Sequence, residues 1–380
     1  MSQASAVAIG RSPLRSASIA ALCCSLLVLL LPSVVAGLSI SSDAQPGELA
    51  RVERIVERRP STQQLDSSSS RIFHTAAIAT TTWPAEESAQ HALLVRARLA
   101  QLLGVAGVAL LVYLTVLLAR GRLQALLACG LMAGLPPVSQ AGHILRPETP
   151  ATIFALLSLL LLQVASRPAP QDRHRSPRRS RIIGFGLMLC ASLASAMACE
   201  ALPSFGATLL VPWIVLVAGT CQLAKRGIRC FRRRTLYGTP IPSINRRLIP
   251  WTATALAAPA LTWWLLSSTL TGAVESYAVT ERTSALWPQS TVGYAITVFL
   301  LLTGLVAGVL RVGFQLGRGG RIGPELIMLV YCAVFLMTGL ATERSVDPFP
   351  LVPAVAILWS EGLRALLFLA LGMLARRRSR

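Results

Sequence analysis

Charge is scarce in this chain, and one kind of charge is almost missing. Only 14% of the 380 residues are charged, against 53% apolar, which argues against an ordinary soluble domain and suits a chain whose solvent is largely lipid. Lysine occurs once, at Lys225, and every other basic residue is arginine. The placement of the arginines therefore carries more information than their number. The four histidines, His74, His91, His143 and His174, are scattered and share no helix face, which argues against a histidine metal centre. Eight cysteines include no CxxC pair and no Cys/His ligand spacing, so they read as small apolar packing residues. Walker, HExxH and GxSxG motifs are all missing. The glycine run GRGGRIG at 317–323 follows no strand and reads as a turn.

What the chain has is long apolar runs. A helix that crosses lipid needs roughly 20 mainly apolar residues. Scanning for them predicts an all-α polytopic transmembrane bundle of about ten spans, near residues 17–40, 99–119, 123–141, 149–166, 182–199, 203–224, 249–271, 291–310, 324–341 and 350–375. The third contains Pro136 and Pro137 and is expected to be broken or tilted. The first follows Arg11 and Arg15 and reads as an uncleaved anchor, with a cleavable signal peptide as the alternative. On this reading residues 1–16 form a cytoplasmic N-terminal segment, 17–375 the transmembrane domain and 376–380 a basic cytoplasmic tail. A net charge of +20 does not mark a nucleic-acid binder, because the charge lies in short loops between apolar runs.

Arginines in those loops favour the cytoplasmic side. With both termini inside, 25 of the 36 basic residues are cytoplasmic, concentrated in loops 167–181 and 225–248. The acids sort the other way, 13 of 16 falling outside, a skew that membrane insertion does not require. Several stand at the outer ends of spans. Asp43 and Glu48 open a long outer loop, 41–98, and Glu86 and Glu87 close it. Arg146 and Glu148 lie in the turn HILRPETP, Glu200 in the hairpin MACEALPSF, and Glu343, Arg344 and Asp347 before the last span. Within the last span, Glu361 and Arg364 are three residues apart and are expected to pair. The segment PGELARVERIVERR alternates charge at helical spacing with Leu49, Val52, Ile55 and Val56 on one side, as a surface helix would.

In order and kind these elements resemble the GT-C glycosyltransferases, multi-span enzymes that take a sugar from a polyprenyl-phosphate carrier at the outer membrane face. The likeness is to the lipopolysaccharide-core, aminoarabinose-transferase and protein O-mannosyltransferase-like group. SISSDAQPGE occupies the place of that group's acidic motif, with Asp43 the match and Glu48 a looser one. VRARLAQLLGVAGVALLVYL and LRPETPATIFALLSLLLLQ resemble its arginine-led helix pair and acid-bearing outer turn. GFGLMLCASLASAMACEALPSFGATLLVP resembles its GLxxGLAxxTKxxxLLLxP hairpin, with Glu200 near where a lysine is common. ERSVDPFPLVPAVAILWSEGL has the shape of its charged residue before a PALA-like helix.

The resemblance implies a GT-C-like fold and a glycosyltransferase that moves a hexose or pentose from a polyprenyl-phosphate-linked donor to an envelope lipid, polysaccharide or protein. It implies Asp43 as base with Glu48 in support, Glu86 and Glu87 being alternative acids. Arg146, Glu148, Glu200, Glu343 and Arg344 are the expected donor-phosphate or acceptor contacts. Arginine meets phosphate oxygens in bidentate fashion, and clustered carboxylates can alternatively bind a divalent cation beside the leaving phosphate. The metal is otherwise unspecified. The implied location is a bacterial cytoplasmic membrane. Two rival readings remain: a flippase or transporter of lipid-linked sugar with Glu361 and Arg364 on its path, and a non-catalytic scaffold.

Overall fold

The computed structural model describes residues 53, 85–135, 138, 148–166, 177–201, 291–317, 324–341 and 349–378. The described elements are all helical: α1 Glu87–Arg120, α2 Arg122–Ala133, α3 Glu148–Ser166, α4 Pro177–Ala201, α5 Thr291–Gly317, α6 Pro324–Ala341, a 3-10 turn Phe349–Leu351 and α7 Val352–Arg378. Four contain stretches long and apolar enough to cross a membrane: Glu87–Arg120, Glu148–Ser166, Ala295–Phe314 and Val352–Leu374. Shorter apolar stretches run over Arg122–Ala133, Gly186–Ala198 and Pro324–Leu336. The predicted spans at 17–40, 203–224 and 249–271 lie outside the described residues, as does the proposed surface helix except for Glu53, which is helical.

Local chemistry explains where the helices stop. α1 starts at Glu87, inside the segment read as an outer loop, and carries Glu87 in its first turn and Arg120 in its last, each the favourable sign for that end of the helix dipole. It ends because Gly121 adopts φ 99°, ψ −178°, a backbone region essentially confined to glycine. The Gly121 N–H donates to the Leu117 carbonyl, and α2 begins at once. α2 reaches only Ala133, short of the predicted 141. Pro136 and Pro137 lack N–H donors, and proline disfavours helix at the residue before it, so the third span is broken as its prolines foretold.

Side-chain hydrogen bonds fix the relative directions of the helices. Gln101 on α1 donates to Thr149 at the start of α3 at 2.5 Å. Gln163, near the end of α3, donates to the Pro324 carbonyl at the start of α6. Arg120, ending α1, pairs with Glu325 of α6. α1 and α3 therefore run parallel, and α6 runs against both. Ser158 and Ser195 share a hydrogen bond at 2.6 Å, and Met188 packs on Ala165, so α4 is antiparallel to α3. Such bonds between helices in lipid are each worth about 0.6 to 2 kcal/mol.

The core joins α1, α2, α3, α6 and α7 through Val108, Val112, Met132, Leu156, Tyr331 and Ile357, all essentially buried. α5 is the outlier, with Ile296, Phe299, Leu302, Val306, Leu310 and Phe314 exposed. That face suits lipid. The other face of α5 crosses α7 at glycines: a Cβ on Gly304 would land on the Leu358 carbonyl, and one on Gly362 would strike the Leu300 carbonyl. With no hydrophobic drive between helices in lipid, small residues that admit backbone contact supply the packing.

Candidate active site

Antiparallel packing gives the bundle two ends. At the first lie the start of α3, the end of α4 and the end of α6. Glu148 is the first residue of α3 and is only 8% exposed. Its carbonyl accepts a hydrogen bond from Thr152 Oγ1 at 2.7 Å, and its neighbour Thr149 is held by Gln101. Glu200 is the penultimate residue of α4. It lies five residues beyond Ser195, whereas Glu148 lies ten residues from Ser158, so at 1.5 Å per residue the two backbones sit at levels roughly 8 Å apart. α6 finishes at Ala341 at this end, and the turn Phe349–Leu351, with Phe349 buried, packs on α3 and α6.

Glu86 and Glu87 belong to the same end but stand apart from Glu148. Both are exposed, and Glu87 approaches His91 at 4.0 Å. They precede Gln101 by 14 or more residues of continuous helix, which sets them roughly 20 Å beyond the level of Thr149. Asp43, Glu48, Arg146, Glu343 and Arg344 lie outside the described residues. Among the described residues no group of three or more His, Cys, Asp or Glu side chains could hold a metal ion.

The second end carries a cluster of charge that its sequence positions did not reveal. Arg120, with a side chain 1% exposed, hydrogen-bonds through Nε to Glu361 Oε1. Its Nη1 lies 2.5 Å from Glu325 Oε2 as an ion pair, without the alignment of a hydrogen bond. Arg311 Nε approaches the same Glu325 oxygen at 3.5 Å. Beside them Gln124 donates to Ser360 at 2.9 Å. The expected pair of Glu361 with Arg364 is thus corrected: Glu361 turns to Arg120, and the Arg364 guanidinium lies 5.4 Å from the ring centre of Phe368. The (i, i+3) geometry permitted the pair, but Arg120 arrives from another helix in a more buried position. Glu361 within a span was the one sequence signal of this site.

No protein-family model and no curated protein matches the chain. Solved structures do. The Archaeoglobus fulgidus oligosaccharyltransferase tethered with an acceptor peptide containing the NVT sequon is similar over 94% of this chain and 50% of its own, at 12% identity and a TM-score of 0.58. The Archaeoglobus fulgidus oligosaccharyltransferase AglB in complex with an inhibitory peptide and a dolichol-phosphate is similar over 96% and 52%, at 11% identity and a TM-score of 0.58. ArnT from Cupriavidus metallidurans in the apo state is similar over 93% and 60%, at 16% identity and a TM-score of 0.50. The chain spans about half the length of the oligosaccharyltransferases and rather more of ArnT. At such identities the likeness is one of fold: the chain shares the membrane-helical architecture of these neighbours.

Proposed function

We propose that this protein is a membrane glycosyltransferase that moves a sugar from a polyprenyl-phosphate carrier to an envelope acceptor at the extracytoplasmic face of a bacterial cytoplasmic membrane. The observation that carries the reading is the gathering of Glu148, Glu200 and the end of α6 at one end of a GT-C-like bundle. The neighbour solved with a dolichol-phosphate adds support for a lipid-linked donor. Arg146 stands two residues before Glu148, and Glu343 and Arg344 follow directly on Ala341 and Thr342 in the chain.

In the proposed reaction Asp43 takes the proton from an acceptor hydroxyl. The hydroxyl oxygen forms a bond to the anomeric carbon as the bond from that carbon to the carrier phosphate oxygen breaks. The bonding pair leaves with the phosphate, and the proton stays on the carboxylate. Arg146 and Arg344 neutralise the phosphate charge as it develops, Glu48 supports Asp43, and Glu148 and Glu200 orient the acceptor or donor.

A transporter reading needs an intramembrane carboxylate that faces a path, and Glu361 is instead held by buried Arg120. Incubation of membranes with radiolabelled polyprenyl-phosphate sugars should show transfer by the wild-type chain and its loss in Asp43→Asn. Movement of the carrier across the membrane without a new glycosidic bond would refute the enzyme reading.

A further inference from the structure

The charge cluster at the second end does not balance. Among the described residues Arg120 and Arg311 face Glu325 and Glu361, two cations against two anions. Arg364 is the fifth member. It lies one helical turn from Glu361, yet its described partner is the Phe368 ring and no carboxylate. Arg311 is near enough to feel the charge of Arg364 as well as those of Arg120, Glu325 and Glu361. The neighbouring sequence deepens the surplus. Residues 318–323 contain Arg318 and Arg321 and no acid, and none follows Glu361 to the chain end, where Arg376, Arg377 and Arg378 stand.

An extra cation at a membrane helix is costly without an anion, and a cation–π contact returns only part of that cost. The surroundings are apolar and open. Beyond Arg364, α7 exposes Leu367, Phe368, Leu371 and Leu374, and α5 exposes Leu310 and Phe314 around the 41%-exposed Arg311.

We infer that Arg364, with Arg311 beside it, binds the phosphate headgroup of an anionic membrane lipid whose acyl chains lie on the exposed apolar faces of α7 and α5. Charge complementarity names the headgroup, and the apolar flanks name a lipid rather than a soluble anion. Arg364 lies one helical turn past the level of Arg120, the last residue of α1, and phospholipid phosphate is the anion that a bilayer surface presents to basic residues at such helix ends. The site lies at the opposite end of the bundle from Glu148 and does not rest on the proposed glycosyl transfer.

Purified full-length protein in detergent is titrated with phosphatidylglycerol, phosphatidylcholine and inorganic phosphate, and lipid retention is read by native mass spectrometry. Phosphatidylglycerol should bind several-fold better than phosphatidylcholine, with inorganic phosphate failing to displace it. Arg364→Gln should weaken phosphatidylglycerol by about fivefold, the value of one arginine at an anionic surface, while Arg364→Lys keeps most of the preference. In the wild type, rising salt should erode the preference, because a half-exposed contact is screened. Equal retention of the two lipids, insensitivity to salt or an unchanged Arg364→Gln would overturn the site. Displacement by inorganic phosphate would replace the lipid by a free anion.

Discussion

The two ends of the bundle hold charge in opposite ways. At the second end, Arg120, Arg311, Glu325 and Glu361 are drawn from four helices and pair across them. At the first, the charges stand at helix starts and ends, Glu87 exposed and Glu148 leading α3 into the core. A buried charge bound by its opposite is committed to architecture, since removing either partner strands the other. Charge on an exposed helix terminus, as at Glu87, stays solvated and needs no such match. Both kinds occur in one chain with only 52 charged residues, so the location of a charge within the bundle decides its role more than its presence in a span.

The difference can be broken most completely by orientation, where the outcome is all or none. Ser176 directly precedes α4 in the chain, and the packing puts the start of α4 at the paired end; Ser68 precedes α1 in the chain. In intact cells and on a cysteine-free background, an impermeant thiol reagent should label Ser68→Cys and spare Ser176→Cys. The reverse pattern would face the paired end outward and remove the outer-face enzyme. Next in size is the proposed chemistry. Asp43→Asn keeps size and hydrogen bonding but removes the proton acceptor, so turnover should fall by about 10² to 10⁴. Protein level should hardly change, and Glu53→Gln should leave transfer near wild type. Full transfer by Asp43→Asn combined with loss in Glu86→Gln or Glu87→Gln would move the base to the other end of the loop.

Much of the architecture was legible because hydropathy and backbone chemistry act locally. The apolar runs at 149–166 and 324–341 correspond to α3 and α6 within a residue, and Pro136 and Pro137 marked the break after α2. The start of α1 was missed. Residues 87–98, with His91, Arg96 and Arg98, are too polar for a span, yet a helix needs no lipid to continue, and Ala, Leu and Arg all favour it. Of the candidate site, Glu148 and Glu200 were recognisable as acids at span ends, but that they share one end of the bundle depends on Ser158 meeting Ser195. Glu361 is an acid within a span and calls for a cation, and the nearest arginine in sequence is Arg364. The partner of Glu361 is 241 residues away, and no local pattern announces such a contact.

At the paired end the expected effects are on stability. Arg120 bridges two carboxylates, so Arg120→Leu takes the buried Glu361 and the half-buried Glu325 from their shared cation and should destabilise the protein by about 3 to 5 kcal/mol in thermal unfolding. Glu361→Leu should cost less, because the Arg120–Glu325 pair survives. Arg364→Leu in lipid-free detergent should cost least of the three. The double variant Arg120→Leu/Glu361→Leu should be milder than the sum of the singles. Additive losses, or an Arg364→Leu loss matching that of Glu361→Leu, would restore the pairing of neighbours on α7.

The smallest effect tests whether the first end is as open as its charges suggest. Gln101 holds Thr149, and through it the first turn of α3, against α1. Thr149→Val preserves the branched shape and removes only the hydroxyl, leaving the buried Gln101 amide without that acceptor. A hydrogen bond between membrane helices contributes about 0.6 to 2 kcal/mol, so the melting temperature should drop by only a few degrees. Transfer should respond more than stability does. Glu148 adjoins Thr149 in the same turn, and small misplacement of a positioning group can cost as much as 10²-fold in rate. Gln101→Leu together with Thr149→Val, which removes both polar partners, should regain part of the stability but not the activity, because the register of α3 would still be unpinned. Equal recovery of both would make the bond a packing contact with no bearing on Glu148.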